Sequence, residues 1–289
     1  DEAFIAVTGD HKPTAALLKK RNKQERAGQE SLFITVINTR EDLDKWLAER
    51  TRTLEAMPED SAVEVREKAL AYHQVNESAE YRRQRQIADL WTASFFWRSE
   101  EPDGKFLEVI APTDGQLRRL QNGREIQPGL LEKVEDLSQS EVFFHWPLEF
   151  ADVIEQKGFD CVIGNPPWEK VKLMEIEFFA SIIPEIAQLS TKAEREKAIA
   201  ELLVKDPSVH QALEKQRAII EKENVYFKFS GNFKYGNVGE ITTYALFVEL
   251  ADLTSNNNGF VGMIIKSSIA TSTTYGDFFR YLFDNYLIS

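Results

Sequence analysis

Cysteine occurs once in these 289 residues, at Cys161, and that single thiol excludes an internal disulfide and any zinc site built on paired cysteines. Histidine is nearly as scarce, and His11, His73, His145 and His210 lie scattered without the spacing of a metal-ligand set. No apolar run approaches the ~20 residues that a membrane-crossing helix needs. The first residues lack the charged-then-apolar order of a signal peptide, so the expected location is the cytoplasm, with no membrane contact. Positive charge is short as well. Lys and Arg number 35 against 47 Asp and Glu, a formal net charge of −12. A free-standing nucleic-acid binder would instead carry a basic stripe or patch. Basic clusters do occur at Lys19-Lys20-Arg21, at Arg82-Arg83-Arg85, at Arg118-Arg119 and at Lys170 with Lys172. For the first three the plain reading is a solvated helix face. The remaining composition, 43% hydrophobic and 28% charged, is that of an ordinary globular protein of one large or two smaller domains.

What is present is concentrated at Gly158-Phe159-Asp160-Cys161-Val162-Ile163-Gly164-Asn165-Pro166-Pro167-Trp168. Val162 and Ile163 read as the end of a buried strand, and Cys161 within it as an inert buried residue. Two prolines then forbid both helix and ladder hydrogen bonding and fix the backbone as it leaves the sheet. The turn offers the Asn165 side chain, the Pro166 carbonyl and the face of Trp168 together. Two carbonyl-type oxygens can accept both hydrogens of an amine on a flat ring while the indole stacks on that ring.

This turn resembles the Asp/Asn/Ser-Pro-Pro-aromatic motif of amino-methylating DNA methyltransferases that use S-adenosylmethionine. The longer stretch resembles the large adenine-specific enzymes of restriction-modification and phage-defence systems. Upstream, Phe144-His145-Trp146-Pro147-Leu148-Glu149-Phe150 is similar to a stretch of those enzymes. Downstream, Thr242 through Leu250 and then Gly259 through Ile265 resemble their next helix and strand. The likeness is specific over residues 141–289 and thinner over 1–140. It implies a Rossmann-like α/β methyltransferase core, incomplete in this chain, with a helix-rich insertion of residues 1–140 at its N-terminal side. It also implies double-stranded DNA with a flipped adenine as substrate, S-adenosylmethionine as cofactor, and restriction or other defence subunits as partners.

The Gly-rich turn that a cofactor site of this class places after a first strand is missing. Gly9, Gly104 and Gly115 are isolated, and Gly231, Gly236 and Gly239 have no Gly-x-Gly spacing. In the arrangement resembled, that motif lies upstream of Asn-Pro-Pro-Trp. The resemblance therefore implies that a cofactor half precedes Asp1 and a recognition domain follows Ser289. The chain alone is then expected to bind S-adenosylmethionine weakly or not at all.

Along the chain, Asp10 to Gly28 reads as a basic helix. Residues 31–37 read as either a strand or the start of the next helix, which spans Glu41 to Met57 and stops at Pro58. Ser61 and Glu64 form a capping-box pattern that opens a helix running, with interruptions, to Trp97. Its apolar end (Ile87, Leu90, Trp91, Phe95, Phe96) reads as packed core rather than a stacking platform. Turn signals at Pro102-Asp103-Gly104, Pro112 through Gly115 and Gln127-Pro128-Gly129 alternate with short helices. From Phe143 the pattern becomes α/β: a short helix through Phe150 and Ile154, the strand 159–163, and the turn. A charged helical excursion from Ser190 to Glu223 breaks at Asp206-Pro207, and a polar loop follows at Ser230–Gly239. A helix over Thr243–Leu253, a tight turn at Asn256–Gly259 and a buried strand over Phe260–Ile265 complete the reading.

In the chemistry that the resemblance implies, Asn165 and Pro166 accept from the adenine amine and are also the cofactor-binding residues present in the chain, Pro167 stiffens the turn, and Trp168 stacks on the base. Weaker candidates surround them. Lys170 and Lys172 suit either a phosphate contact or a solvated surface. Tyr244 and Phe233 suit either a base pocket or core packing. Lys266, Ser267 and Ser268 end the second strand, the edge where α/β sheets bind ligands. Glu169 reads as a helix-start residue, and His145 and Trp146 as packing beneath the site. Two alternatives stay open: a methyltransferase of protein glutamine or RNA, and a non-catalytic DNA- or partner-binding scaffold with a methylase fold. No nuclease core is evident.

Overall fold

The computed structural model describes residues 2–27, 36–102, 109–189 and 191–286. Helices dominate. In the first half these are α1 (Lys12–Ala27), α2 (Val36–Glu55), α3 (Ala62–Asn76), α4 (Ala79–Phe96), α5 (Asp114–Gln121) and α6 (Leu130–Ser140). Of the expected strand or helix over 31–37, only Val36 and Ile37 are described, and they open α2. The turn read at Pro102-Asp103-Gly104 falls largely outside the described residues. Ser61 caps α3 as its sequence predicts, accepting from Glu64 N at 3.3 Å. Glu64 does not complete the box, since its Oε2 is buried without a partner among the described residues. The long helix is interrupted at Glu77 and resumes after a second serine cap, Ser78.

The apolar end of α4 is packed core, as its spacing implies. Leu90, Phe95 and Trp97 join Leu18 of α1 with Leu130 and Val134 of α6 in one cluster. Val225, far along the chain, completes it. Tyr226 beside it meets Trp91, Phe95 and Phe96 edge-on or tilted at 5.5–6.2 Å between ring centres. The basic clusters are answered by local acids. Lys19 pairs with Glu2, Arg82 with Glu77, Arg85 with Asp89 and Arg118 with Asp114.

Two short helices, α7 (Trp146–Glu149) and α8 (Ala151–Glu155), lead into β1 (Phe159–Gly164). After the turn come α9 (Glu175–Ile182), α10 (Pro184–Gln188), α11 (Lys192–Lys205) and α12 (Pro207–Phe229). Asp206 caps α12 by accepting from Ser208 N at 2.9 Å, and Pro207 occupies its first turn, where no N–H is needed. Then follow α13 (Thr243–Thr254), β2 (Ser255–Met263), α14 (Ser268–Thr271) and, after a 3₁₀ turn, α15 (Gly276–Asn285).

β1 and β2 pair in parallel and are the two strands of the sheet among the described residues, a small parallel pair in a helix-rich fold that is compatible with part of the expected α/β core. From Cys161↔Phe260 to Gly164↔Met263 the register is regular. Below it, Asp160 alone faces Asn256–Gly259, a wide bulge. The tight turn expected at Asn256–Gly259 is therefore a bulged length of strand. Its polar residues bind locally, Asn256 Nδ2 donating to Asp160 Oδ1 and Asn258 N to Asn256 Oδ1. Gly158, at φ 117°, immediately precedes β1 at a point where a Cβ would stand 2.4 Å from Thr254 O.

The strands are not buried as expected. Alternate residues share a face: Met263 and Ile265 sit against the cluster of Tyr244, Ala245, Val248, Ile269, Tyr275 and Phe278, while no cluster of the described residues covers the opposite face. Ile163 is 81% and Phe260 77% exposed, Ile264 is exposed, and Cys161 is an exposed thiol rather than a buried one. Apolar content announces a strand, but it does not say which faces find cover.

Candidate active site

The Asn165–Trp168 turn leaves β1 at the carboxyl edge of the sheet, and groups distant in sequence pin it from three sides. Ile264 N donates to Gly164 O at 3.0 Å, extending the ladder by one rung. The Trp168 indole N–H donates to Ile264 O at 3.1 Å, which fixes the ring's edge while the side chain stays 42% exposed. Thr243, first residue of α13, donates its hydroxyl to Pro167 O at 2.6 Å and accepts from Glu169 N at 3.1 Å. Its own N–H donates to Glu169 O at 3.0 Å. Lys266 Nζ reaches Trp168 O at 3.3 Å.

These bonds correct one expectation. Glu169 does not start a helix, because Thr243 recruits its backbone on both sides. The segment instead bridges antiparallel to Thr242 through Lys170, and the next helix waits until Glu175.

Pro166 is buried within the turn, whereas Asn165 and Pro167 are exposed. Neither the Asn165 side chain nor the Pro166 carbonyl has a hydrogen-bond partner among the described residues. The turn is thus held at its two ends, through Gly164 O, Pro167 O and the Trp168 indole.

The remaining candidates take varied places. Lys170 and Lys172 both end on Glu240, Lys172 Nζ standing 2.6 Å from Oε1 and Lys170 Nζ against Oε2. The hydrogen bond to Glu240 holds Lys170 above the usual lysine range, and the two lysines hold Glu240 below the usual carboxylate range. Tyr244 is 3% exposed, packs edge-on to Tyr275, and shares a 2.8 Å hydroxyl bond with Ser268. Phe233 packs against Phe227. His145 ties α7 to α4 through a 2.7 Å contact from Nε2 to Asp89 Oδ1. Trp146 stacks on Phe150 and meets Phe159, the first residue of β1, edge-on. Trp146 therefore packs against the start of the strand that carries the turn, while His145 is held to α4.

Sequence reasoning missed three participants: Thr243, the Ile264 carbonyl and Glu240. No local pattern marks them, because each acts across the fold. A Thr at the start of a helix, next to a stretch already similar to a methylase, is the one signal that was legible. Among the described residues no His, Cys, Asp and Glu group could hold a metal ion, and no helix is long and apolar enough to cross a membrane.

No curated protein and no solved structure matches the chain. A family model does: residues 58–198, from the proline after α2 through the Asn-Pro-Pro-Trp turn and into α11, match the Eco57I restriction-modification methylase, and over that span the chain is similar to a restriction-modification methylase.

Proposed function

We propose that this chain carries the amine-binding half of a DNA methyltransferase active site, acting on the exocyclic amine of an adenine flipped from double-stranded DNA, within a restriction-modification or related phage-defence protein. One observation carries the reading. The turn is pinned by Trp168, Thr243 and the end of β2, yet the Asn165 side chain and the Pro166 carbonyl remain without partners among the described residues. The exposed Asn165 side chain is open to solvent or to a ligand, and it stands next to the Pro166 carbonyl. Two adjacent free acceptors on a rigid turn suit a ligand that brings two hydrogens on one nitrogen.

An adenine amine is a poor nucleophile, because its lone pair is delocalised into the ring. Accepting both its protons, at Asn165 Oδ1 and Pro166 O, favours a pyramidal nitrogen and offsets the positive charge that develops there. This is preorganised electrostatics, and removing one such partner typically costs about 10²–10³ in rate. Trp168 stacks on the base, a contact worth roughly 1–3 kcal/mol. The bond from its indole N–H to Ile264 O sets the plane of stacking in advance. Lys170 and Lys172 contact the backbone near the flipped nucleotide, and Lys266 braces the turn through Trp168 O. Tyr244 supports the site from its core through Ser268.

In this reading S-adenosylmethionine supplies the methyl group when bound. The residues described here fit the acceptor side of that reaction and not the cofactor's own cradle. β1 runs into Asn-Pro-Pro-Trp and β2 into Ile264-Ile265-Lys266, and neither strand ends in a Gly-rich turn. That observation favours one second reading, a scaffold that binds DNA or a partner subunit without catalysis.

The test is transfer of a labelled methyl group to DNA by the complete polypeptide, with nucleoside analysis of the product and Asn165→Ala alongside. The expected result is methyladenine from the wild type and a drop of about 10²–10³ or more in the variant. Full activity in Asn165→Ala sinks the assignment of the turn. Cofactor binding without transfer to DNA turns the proposal towards an RNA or glutamine amide. Neither binding nor transfer leaves the scaffold.

A further inference from the structure

Lys172 N donates to Lys170 O at 2.8 Å, closing a tight turn two residues beyond the active-site motif. That turn brings the two ammonium groups onto a single carboxylate, Glu240, one on each oxygen. All three side chains are about half exposed. Val171 N, between the lysines, donates to Ile241 O at 2.9 Å, so the backbones of the cations and of the anion's loop are fastened together. The loop itself is anchored. Glu249 of α13 is buried and accepts backbone N–H groups from Lys234, Tyr235 and Gly236. Glu240 is therefore carried to the lysines by a braced segment.

We propose that Lys170 and Lys172 form a site for one backbone phosphate of the substrate, and that Glu240 occupies it as an internal stand-in that the phosphate displaces. This rests on the methyltransferase reading for the identity of the substrate, though not for the chemistry of the anion. A phosphodiester, like a carboxylate, offers two charged oxygens on one atom, so it meets the same pair of ammoniums without rearranging them. The exchange is easy, because an exposed ammonium–carboxylate pair is worth little in water. It also selects for substrate. In a chain of net charge −12, long-range attraction for nucleic acid is weak. The lysines are then released only when a phosphate is delivered beside the turn.

The experiment measures binding of a short DNA duplex across salt concentrations, and separately a titration of inorganic phosphate followed by the backbone amide signals of residues 169–172. Glu240→Gln is expected to tighten duplex binding by about fivefold at low salt. The slope against log salt should steepen by about one phosphate's worth. Inorganic phosphate should shift the 169–172 signals saturably in Glu240→Gln, and more weakly in the wild type. The gain should vanish when Lys170→Gln and Lys172→Gln are added. Asp277→Asn, the same charge change at an exposed carboxylate far along the chain, serves as the control. If Glu240→Gln behaves like Asp277→Asn, or if its gain survives loss of both lysines, the stand-in role is overturned. The phosphate titration needs no methyl transfer. A protein that binds phosphate as described but transfers nothing refutes the methyltransferase reading and leaves the anion site standing. The converse refutes only the anion site.

Discussion

Thr243 does for the Asn165–Trp168 turn what the turn cannot do for itself. Pro166 and Pro167 have no N–H to donate, so the segment cannot close on its own backbone. The Thr243 hydroxyl supplies an outside clamp, donating to Pro167 O at 2.6 Å and accepting from Glu169 N at 3.1 Å. Thr243→Val keeps the shape and loses both bonds. The expected cost is about 1–2 kcal/mol of stability, read from urea unfolding. A larger loss of methyl-transfer rate, at little change in DNA affinity, should accompany it, because the acceptors of the turn would no longer be held in place. An unchanged rate in a correctly folded variant would remove Thr243 from the positioning of the site. The residue was visible in sequence only as the start of a helix. Its partners lie 74 and 76 positions away, and no local pattern encodes a bond of that span. Asn165, the prolines and Trp168 were legible because an apolar run ending in Asn-Pro-Pro-aromatic has few backbone solutions.

Elements were legible in proportion to how local their causes are. The serine cap of α3, the break at Asp206-Pro207 and the strand before the turn follow from neighbouring residues, and they stand where the sequence puts them. Asn256–Gly259 was misread because Asn and Gly signal a turn whether the chain reverses or, as here, bulges out of a parallel ladder. The loop after α12 was legible as polar and irregular, while its anchor was hidden in α13. Glu249 is 3% exposed and reads in sequence as one acidic residue in an apolar helix. In the fold it gathers three consecutive N–H groups, with Gly236 N at 2.7 Å. Glu249→Gln exchanges a charged acceptor for an amide whose NH₂ opposes those donors. About 2–3 kcal/mol of stability should be lost, together with hydrogen-exchange protection at Lys234, Tyr235 and Gly236. Because that loop presents Glu240 to Lys170 and Lys172, the variant should also loosen the ion pair. Retained protection at those three amides would show that the loop is held by other means.

At the scale of the whole molecule, the decisive feature is a parallel pair of strands that the described residues cover on one face, and there only in part. Parallel strands ordinarily have both faces packed, and the sequence reads accordingly, with near-continuous apolar runs at 159–163 and 260–265. One face meets that expectation through Met263 and the cluster around Tyr244 and Phe278. On the other, Cys161 lies in register with Phe260, and Ile163 and Ile264 extend the same exposed apolar surface. Periodicity in a sequence reports that a residue suits burial, and only the tertiary arrangement decides whether burial is delivered. The lone thiol makes this measurable. In the chain of residues 1–289, a thiol reagent should modify Cys161 under native conditions at close to the rate of a free cysteine. An apolar dye should bind the same face and lose most of its fluorescence in Ile163→Ser with Phe260→Ser. Both substitutions are on the exposed face, so the unfolding midpoint should hardly move. Slow modification of Cys161 in the native chain, with no dye bound, would mean that this face is covered in solution and that its apolar residues are already satisfied.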